Sequence, residues 1–354
     1  VCTREIVTWF IRFSLEVTLT KLIRDRLLLL IPMVLGIIFI VFFLTSLLPS
    51  SPGRLMLGAN ASQVEVDKLN EELGYNKPFF ARYLDYVWNM VQGDFGSTYY
   101  TRKPVFSEIW PRFPITFTLA SLSMLVACLI GVPIGVYSAV KQYSLLDYMS
   151  TTLAMFLAVI PSFWFALILL LFFTLQLGWL PSSGATTPAH YVMPVLVTAL
   201  GTAASLLRMT RTTMLETIRT DYVRTARAKG VPETTVIWKH ALKNALLPVL
   251  TIVAMNFAFS LGGTVITESI FSMPGLGMLV ITSMRNKDIP LVMGIVVFFS
   301  LFFLVLMLII DVLYAYIDPR IKARYEADEV GNLKALSGTW LSRMKRGLRK
   351  VWAR

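Results

Sequence analysis

Few side chains in this chain could do covalent chemistry, and they are scattered. His190 and His240 are the only histidines, and each stands apart from any serine, cysteine or carboxylate set. That spacing offers neither a nucleophile–base pair nor a metal cage within one chain. Cys2 and Cys128 are the only cysteines, so no disulfide framework or thiolate site follows; Cys128, inside an apolar run, reads as a small buried hydrophobe. No Gly-x-x-x-x-Gly-Lys-Ser/Thr loop is present to cradle phosphates. What remains is non-covalent. Residues 208–244 carry eight Lys or Arg against three acids and lie between long apolar runs. Such a segment suits electrostatic docking of something in the cytoplasm. Glu268 and Asp311 sit at the ends of otherwise apolar runs. Ionisable groups at depth usually face protein or water and are functional suspects, with a local hydrogen bond or end cap as the competing reading.

The elements that must position these residues are membrane spans. The chain has 354 residues, 56% hydrophobic and 15% charged, with mean hydropathy +0.66, which is the composition of an all-α polytopic membrane protein. The net charge of +12 could suggest nucleic-acid binding, but the basic residues cluster beside the apolar runs and at the C-terminus, so no nucleic-acid partner is expected. A span needs about 20 apolar residues. Six segments serve: 27–48; 115–139, with Gly131, Pro133 and Gly135; 150–177, with Pro161 inside; the short 191–207, with Gly201; 248–270, interrupted by Gly262 and Gly263; and 291–317. The first reads as a retained span, not a cleaved signal peptide.

Lys and Arg beside the spans set orientation. The 1–26 tail, the 208–244 segment and the 318–354 tail are basic, whereas 176–191 has no charge and 50–113 has seven basic against seven acidic residues. Six spans with both termini in the cytoplasm satisfy these counts. The 49–114 region then lies outside. Within it, 60–79 reads as an amphipathic helical piece with Val64, Leu69 and Leu73 on its apolar side. Phe79, Phe80, Tyr83, Tyr86, Val87 and Trp88 form an aromatic cluster, suited either to interfacial anchoring or to receiving a delivered solute.

The basic segment has internal design. Tyr222, Val223, Ala226 and Ala228 precede Gly230-Val231-Pro232, and a second helical pattern follows through Val236, Ile237, His240, Ala241 and Ala245. Gly230 permits a conformation or approach that a side chain would hinder. Pro232 and Glu233 suit a first helical turn. Helix, sharp break and helix, running into the fifth span, make a stiff lever. The plain alternative is a solvated basic loop beside anionic headgroups.

Asp221-Tyr222-Val223-Arg224-Thr225-Ala226-Arg227-Ala228-Lys229-Gly230, with His240-Ala241-Leu242-Lys243-Asn244-Ala245, resembles the cytoplasmic coupling loop of permeases in peptide/nickel-type, binding-protein-dependent ABC importers. Gly262-Gly263, the run from Glu268 through Pro274 and Gly275 to Gly277, Asp311 through Arg320, and Gln92 through Ser97 fit the same family. The position of the outer region resembles the first, B-type, of the two permease subunits. In ABC importers generally this loop begins Glu-Ala-Ala; here Arg224, Thr225 and Ala226 stand there, as in the peptide branch.

The resemblance implies a type I importer permease fold, six spans and a cytoplasmic coupling helix, in a bacterial or archaeal cell membrane. It implies four kinds of partner: a second homologous permease subunit, two cytoplasmic ABC ATPases, an extracytoplasmic peptide-binding protein and the lipid bilayer. The chain is then non-catalytic, with no cofactor of its own, and ATP and Mg belong to the ATPases. Residues 221–247 are the expected ATPase contact, with Gly230 as pivot and Tyr222, Arg224, Ala226, Arg227, Ala228, Lys229, His240 and Asn244 as its members. Arg224, Arg227 and Lys229 are candidates to meet acids on the ATPase. Gly262, Gly263, Glu268, Pro274, Gly275 and Asp311 are gate or structural candidates. The 274–277 turn leads either into a re-entrant outer gate or into a plain loop. In the C-terminal tail, Leu341, Met344, Leu348 and Trp352 among basic residues fit a helix on the inner leaflet, or one touching the ATPase. The expected cargo is a di- or oligopeptide, with a nickel chelate as the alternative within the family and an intramembrane enzyme or secondary carrier as the remote one.

Overall fold

The computed structural model describes residues 24, 28–47, 51–58 and 60–317. The 318–354 tail, and the 1–26 tail except for Arg24, lie outside the described residues, and with them the amphipathic tail helix and the motif residues from Asp318 to Arg320. The chain divides into two compact units. One is Val34–Phe303; the other joins Val1–Met33 to Leu304–Arg354, and its described residues, 24, 28–33 and 304–317, are helical.

Helices dominate, and the described residues contain no β-strand, only an isolated bridge between Ser97 and Pro104. Among the described residues five helices are long and apolar enough to cross a membrane, and a bent pair makes a sixth if its two limbs are one span. They are α1 (Leu28–Ser46), α6 (Phe113–Val140), the pair α7 (Leu145–Val159) and α8 (Ser162–Leu169), α9 (Ala189–Ile218), α12 (Leu242–Ile270) and α14 (Ile289–Ile317). Four short helices precede α6: α2 (Pro52–Leu57), α3 (Gln63–Glu72), α4 (Phe79–Val91) and α5 (Val105–Ile109). Between α9 and α12 lie α10 (Asp221–Ala228) and α11 (Glu233–Thr235), and α13 (Leu276–Arg285) follows α12.

Three spans differ in shape from the sequence reading. The third is not one rod: its limbs, 145–159 and 162–176, meet at 98°. Pro161 lacks an N–H and its ring pushes the preceding residue out of the helical region, so Ile160 is extended at φ −62°, ψ 125°. The fourth span is far longer than 191–207, because the helix runs past Arg208 to Ile218 without a break. The fifth is continuous through Gly262 and Gly263 for 29 residues, about 43 Å. Glycine breaks helices largely by exposing backbone to water, and a membrane removes that competitor.

The core sits where α6 and α9 cross. Half of the most apolar stretch of α9 is buried, against 17% for α1, so α9 is an interior helix and α1 a peripheral one. Small residues allow the approach. A Cβ on Gly131 would lie 2.6 Å from the Ala203 carbonyl oxygen, and one on Gly135 would lie 2.7 Å from that of Leu207. Ala127, Ala199, Ala203, Leu206 and Val249 fill the same layer, with Cys128 packed beside them.

In the segment before α6, a capping box of Ser62 and Glu65 starts α3. Its buried face is Val66 and Asn70, not the expected Val64 and Leu73, which are exposed. Packing against α2 decides this: the Gly53 N–H donates to Asn70 Oδ1 at 2.8 Å, so a polar residue turns inward. The aromatic cluster of α4 is split. Phe79, Tyr83 and Tyr86 pack on Phe39 and Phe42 of α1, and the Tyr83 hydroxyl donates to the Leu35 carbonyl at 3.0 Å. Phe80 and Trp88 stay exposed.

Candidate coupling surface

Thr220, extended at φ −74°, ψ 154°, separates α9 from α10, and Asp221 occupies the first turn where a carboxylate favours the helix N-terminus. Val223 is fully buried. It joins Val136 and Ala139 of α6, Met214 of α9, and Val236, Ile237, Ala241, Leu242 and Ala245 of the following helix, with Ala226 and Val231 packed alongside. Three-residue spacing therefore gives α10 one inward face, at Val223 and Ala226. Burying a valine contributes about 1.5–3 kcal/mol, a modest seat. Tyr222, Arg224, Ala228, Lys229 and Gly230 are exposed on the other side.

The break is a Schellman motif. The Gly230 N–H donates to the Arg227 carbonyl at 2.9 Å and the Val231 N–H to the Ala226 carbonyl at 3.4 Å, the bond pattern of a left-handed helix end. Gly230 has φ +75°, and a Cβ there would meet nothing within 4 Å. It is present for its conformation, not for a close approach within this chain. Across the turn Arg227 donates to Glu233 from Nε at 3.1 Å and from NH2 at 2.7 Å. This ion pair raises the Arg227 pKa. The Arg227 fork is therefore engaged within the chain. Arg224 has only a loose contact, 3.7 Å to exposed Asp221, and Lys229 has no ion-pair partner among the described residues. Pro232 is the N-cap rather than a residue of the first turn. A π-helical turn, Val236–Ala241, then leads into α12. In this stretch His240 is half-buried, and Asn244 further on is exposed.

A second ion pair, between α7 and α9, is one that the sequence reading passed over. The Arg211 guanidinium donates to Asp147 from Nε at 2.7 Å and from NH2 at 2.9 Å. The Ser138 hydroxyl and the Tyr143 N–H, the latter at 3.0 Å, complete the carboxylate's partners. Asp147 is 3% exposed and Arg211 24%. One carboxylate therefore ties together α6, α7 and α9. The available signal was Ser144-x-x-Asp147, a helix start bordering an apolar run, where a charge must find a partner.

At the far end of α12 the gate candidates divide. Glu268 is fully buried. Thr116 and Thr264 donate to its Oε1 at 2.7 and 3.1 Å, and the Met278 N–H donates to Oε2 at 3.1 Å. Thr116 in turn accepts the Leu276 N–H at 2.8 Å. Glu268 thus caps α13, the helix that follows the exposed Pro274. A Cβ on Gly275 would collide with the Glu268 carboxylate, and one on Gly277 would lie 2.6 Å from Val265 Cα. Gly262 has open space around it and does not join this cluster. Gly263 lies within the same continuous helix, and Asp311 lies in α14, far along the chain. Among the described residues no group of His, Cys, Asp and Glu could hold a metal; His190 contacts Thr187 at 2.7 Å.

Residues 131–323, which contain α10, the Schellman turn and Glu268, match the family described as binding-protein-dependent transport system inner membrane component. Residues 19–120 match the N-terminal region of the same kind of membrane component. The chain belongs to this family. The binding-protein-dependent permeases it matches include the dipeptide transport system permease protein DppB of Alkalihalophilus pseudofirmus, 39% identical over 84% of this chain and 98% of that protein. The glutathione transport system permease protein GsiC of Pectobacterium atrosepticum is 40% identical over 84% and 97%, and GsiC of Escherichia coli K12 is 39% identical over the same shares. In fold, the permease chain is similar to a chain in the inward facing structures of the MetNI methionine ABC transporter, with TM-score 0.53 at 16% identity, over 60% of this chain and 97% of that one. This chain is therefore an all-α, multi-pass permease of the type I ABC importer fold.

Proposed function

We propose that the chain is the first of two permease subunits in an ATP-driven importer, and that it passes di- or oligopeptides from a solute-binding protein into the cytoplasm. The observation that carries this reading is the extent of similarity: permeases named for dipeptide and glutathione transport align over nearly their whole length. In this reading 1–26 and 318–354 are cytoplasmic tails, 27–48 is the first span, 49–114 is extracytoplasmic, and 115–317 is the core carrying the 208–247 coupling loop. A second permease sits beside it. Two ATPases, which hold ATP and Mg, dock on the exposed face of α10 at Tyr222, Arg224, Ala228 and Lys229.

The geometry supports a lever. Val223 seats α10 on the inner ends of α6, α9 and α12, while the Schellman turn and the Arg227–Glu233 fork fix the angle between α10 and the next helix. From there α12 runs unbroken to Glu268, where it holds α13. A push on α10 by closing ATPases would reach the opposite side through one rigid element. The route needs few fixed charges along its wall, which suits peptides of varied sequence.

Reconstitution tests this. The chain, a second permease, the ATPases and the binding protein are placed in vesicles, and accumulation of labelled dipeptide, glutathione and a nickel–histidine chelate is followed with and without ATP. ATP-dependent peptide accumulation is expected. Accumulation of the chelate alone, or of peptide without ATP, would refute the reading.

A further inference from the structure

A half-open cavity of 620 Å³ is lined by the end of α1, helices α2 to α4, the 95–102 turn and the first residues of α14. Its charges are uneven. Lys77, Arg82 and Arg102 line it, against the single carboxylate of Asp85. Lys77 and Asp85 satisfy each other at 2.6 Å through Oδ2, which leaves Oδ1 available. No carboxylate among the described residues lies within ion-pair reach of Arg82 or Arg102.

Arg82 is nevertheless held in place. Its guanidinium lies 4.2 Å above the Tyr75 ring and 5.5 Å from the centre of the Phe42 ring. Stacking fixes the plane of an arginine while leaving its N–H edge free, and that edge matches a planar carboxylate with two parallel bonds. The Tyr86 hydroxyl, on the same wall, is buried and has no hydrogen-bond partner among the described residues. Tyr99 is tethered in the wall by its backbone N–H, which donates to Asp288 at 3.1 Å. Apolar side chains of Phe42, Leu69 and Met293 form the rest of the lining. The volume falls within the usual range for small-ligand sites, about 300–1,000 Å³.

We propose that this cavity binds the C-terminal carboxylate of a short peptide. Arg82 is the principal donor, Arg102 and the Tyr86 hydroxyl are secondary donors, and Asp85 Oδ1 receives the amino end. The net positive lining would attract an anionic lipid headgroup too, and the vesicle arm of the test separates that occupant from a peptide. The proposal rests on the peptide-importer reading and adds a site on the permease itself, where peptide is held apart from the binding protein.

The test uses the purified permease complex in detergent without its binding protein, and titration calorimetry with trialanine, trialanine amide and N-acetyl-trialanine. The free acid should bind at least about tenfold more tightly than the amide, the difference expected for one charge-assisted fork. R82Q should erase the acid-over-amide difference, and the acetylated peptide should bind more weakly than the free one. R102Q is a second variant, expected to reduce the difference, should R82Q not fold. Equal binding of acid and amide overturns the site. So does R82Q-sensitive binding of phosphatidylglycerol vesicles without any peptide preference. Trialanine uptake by the complete complex is measured in parallel: uptake without an acid preference overturns this site alone, and no uptake of any peptide overturns the parent reading.

Discussion

Gly230 offers the sharpest test of how α10 is held. The residue sits at φ +75° with no atom within 4 Å of a prospective Cβ, so a substitution acts first through the backbone. Alanine in this region costs roughly 1–2 kcal/mol, a β-branched residue more, and asparagine least. The opposing seat is mainly Val223, whose burial contributes about 1.5–3 kcal/mol. Strain of that size is comparable to the seat, and each 1.4 kcal/mol is about tenfold in the population of docked helix. Gly230→Asn should therefore retain most transport, Gly230→Ala should lose several-fold, and Gly230→Val should hydrolyse ATP with little uptake. Uptake per ATP hydrolysed, in reconstituted vesicles, gives the ranking. Hydrogen exchange at the α10 amides should rise in the same order. A ranking by side-chain volume, with alanine milder than asparagine, would refute the backbone argument and point instead to a surface pressed against Gly230 by a partner.

Three further outcomes follow from the packing. Asp147→Ala strands the Arg211 guanidinium in a mostly buried site and should cost about 3 kcal/mol; Asp147→Ala with Arg211→Gln should cost clearly less than the sum of the single changes, and additivity in thermal melts would show that the pair is not coupled. Gly131→Val places a branched side chain against the Ala203 carbonyl and should lower stability by roughly 1–3 kcal/mol, which thermal melting in detergent checks against the milder Gly201→Ala, where space is open. Asp288 has its pKa raised by burial, against hydrogen bonds from the Tyr99, Leu291 and Tyr100 N–H groups that lower it, with Glu108 raising it further. A carboxyl whose folded pKa exceeds its unfolded value of about 3.9 stabilises below that value and loses this contribution as pH rises through the folded pKa. Between pH 4 and 7, Asp288→Asn should therefore show a smaller loss of melting temperature than the parent, and an unchanged slope would count against the assignment.

The sequence by itself determined the class of molecule. Long apolar runs have only one way to satisfy their backbone in a membrane, so the spans at 27–48, 115–139 and 291–317 could be read from composition. Gly230-Val231-Pro232 was legible because a glycine followed by proline permits few conformations, and the chain adopts one of them. What sequence could not settle was which distant groups meet. Val64 and Leu73, expected on the inner side of α3, are exposed, and Val66 and Asn70 are buried instead because α2 packs against that face. Asp147 and Arg211 are far apart along the chain, and nothing in either local window names the other. Glu268 could be flagged as an acid at the end of an apolar run, yet its work of capping α13 through Thr116 and Met278 depends on three elements converging. Periodicity and propensity are local and survive in one dimension. Hydrogen-bond partners of buried polar groups are chosen by proximity, and only the folded chain brings them within reach.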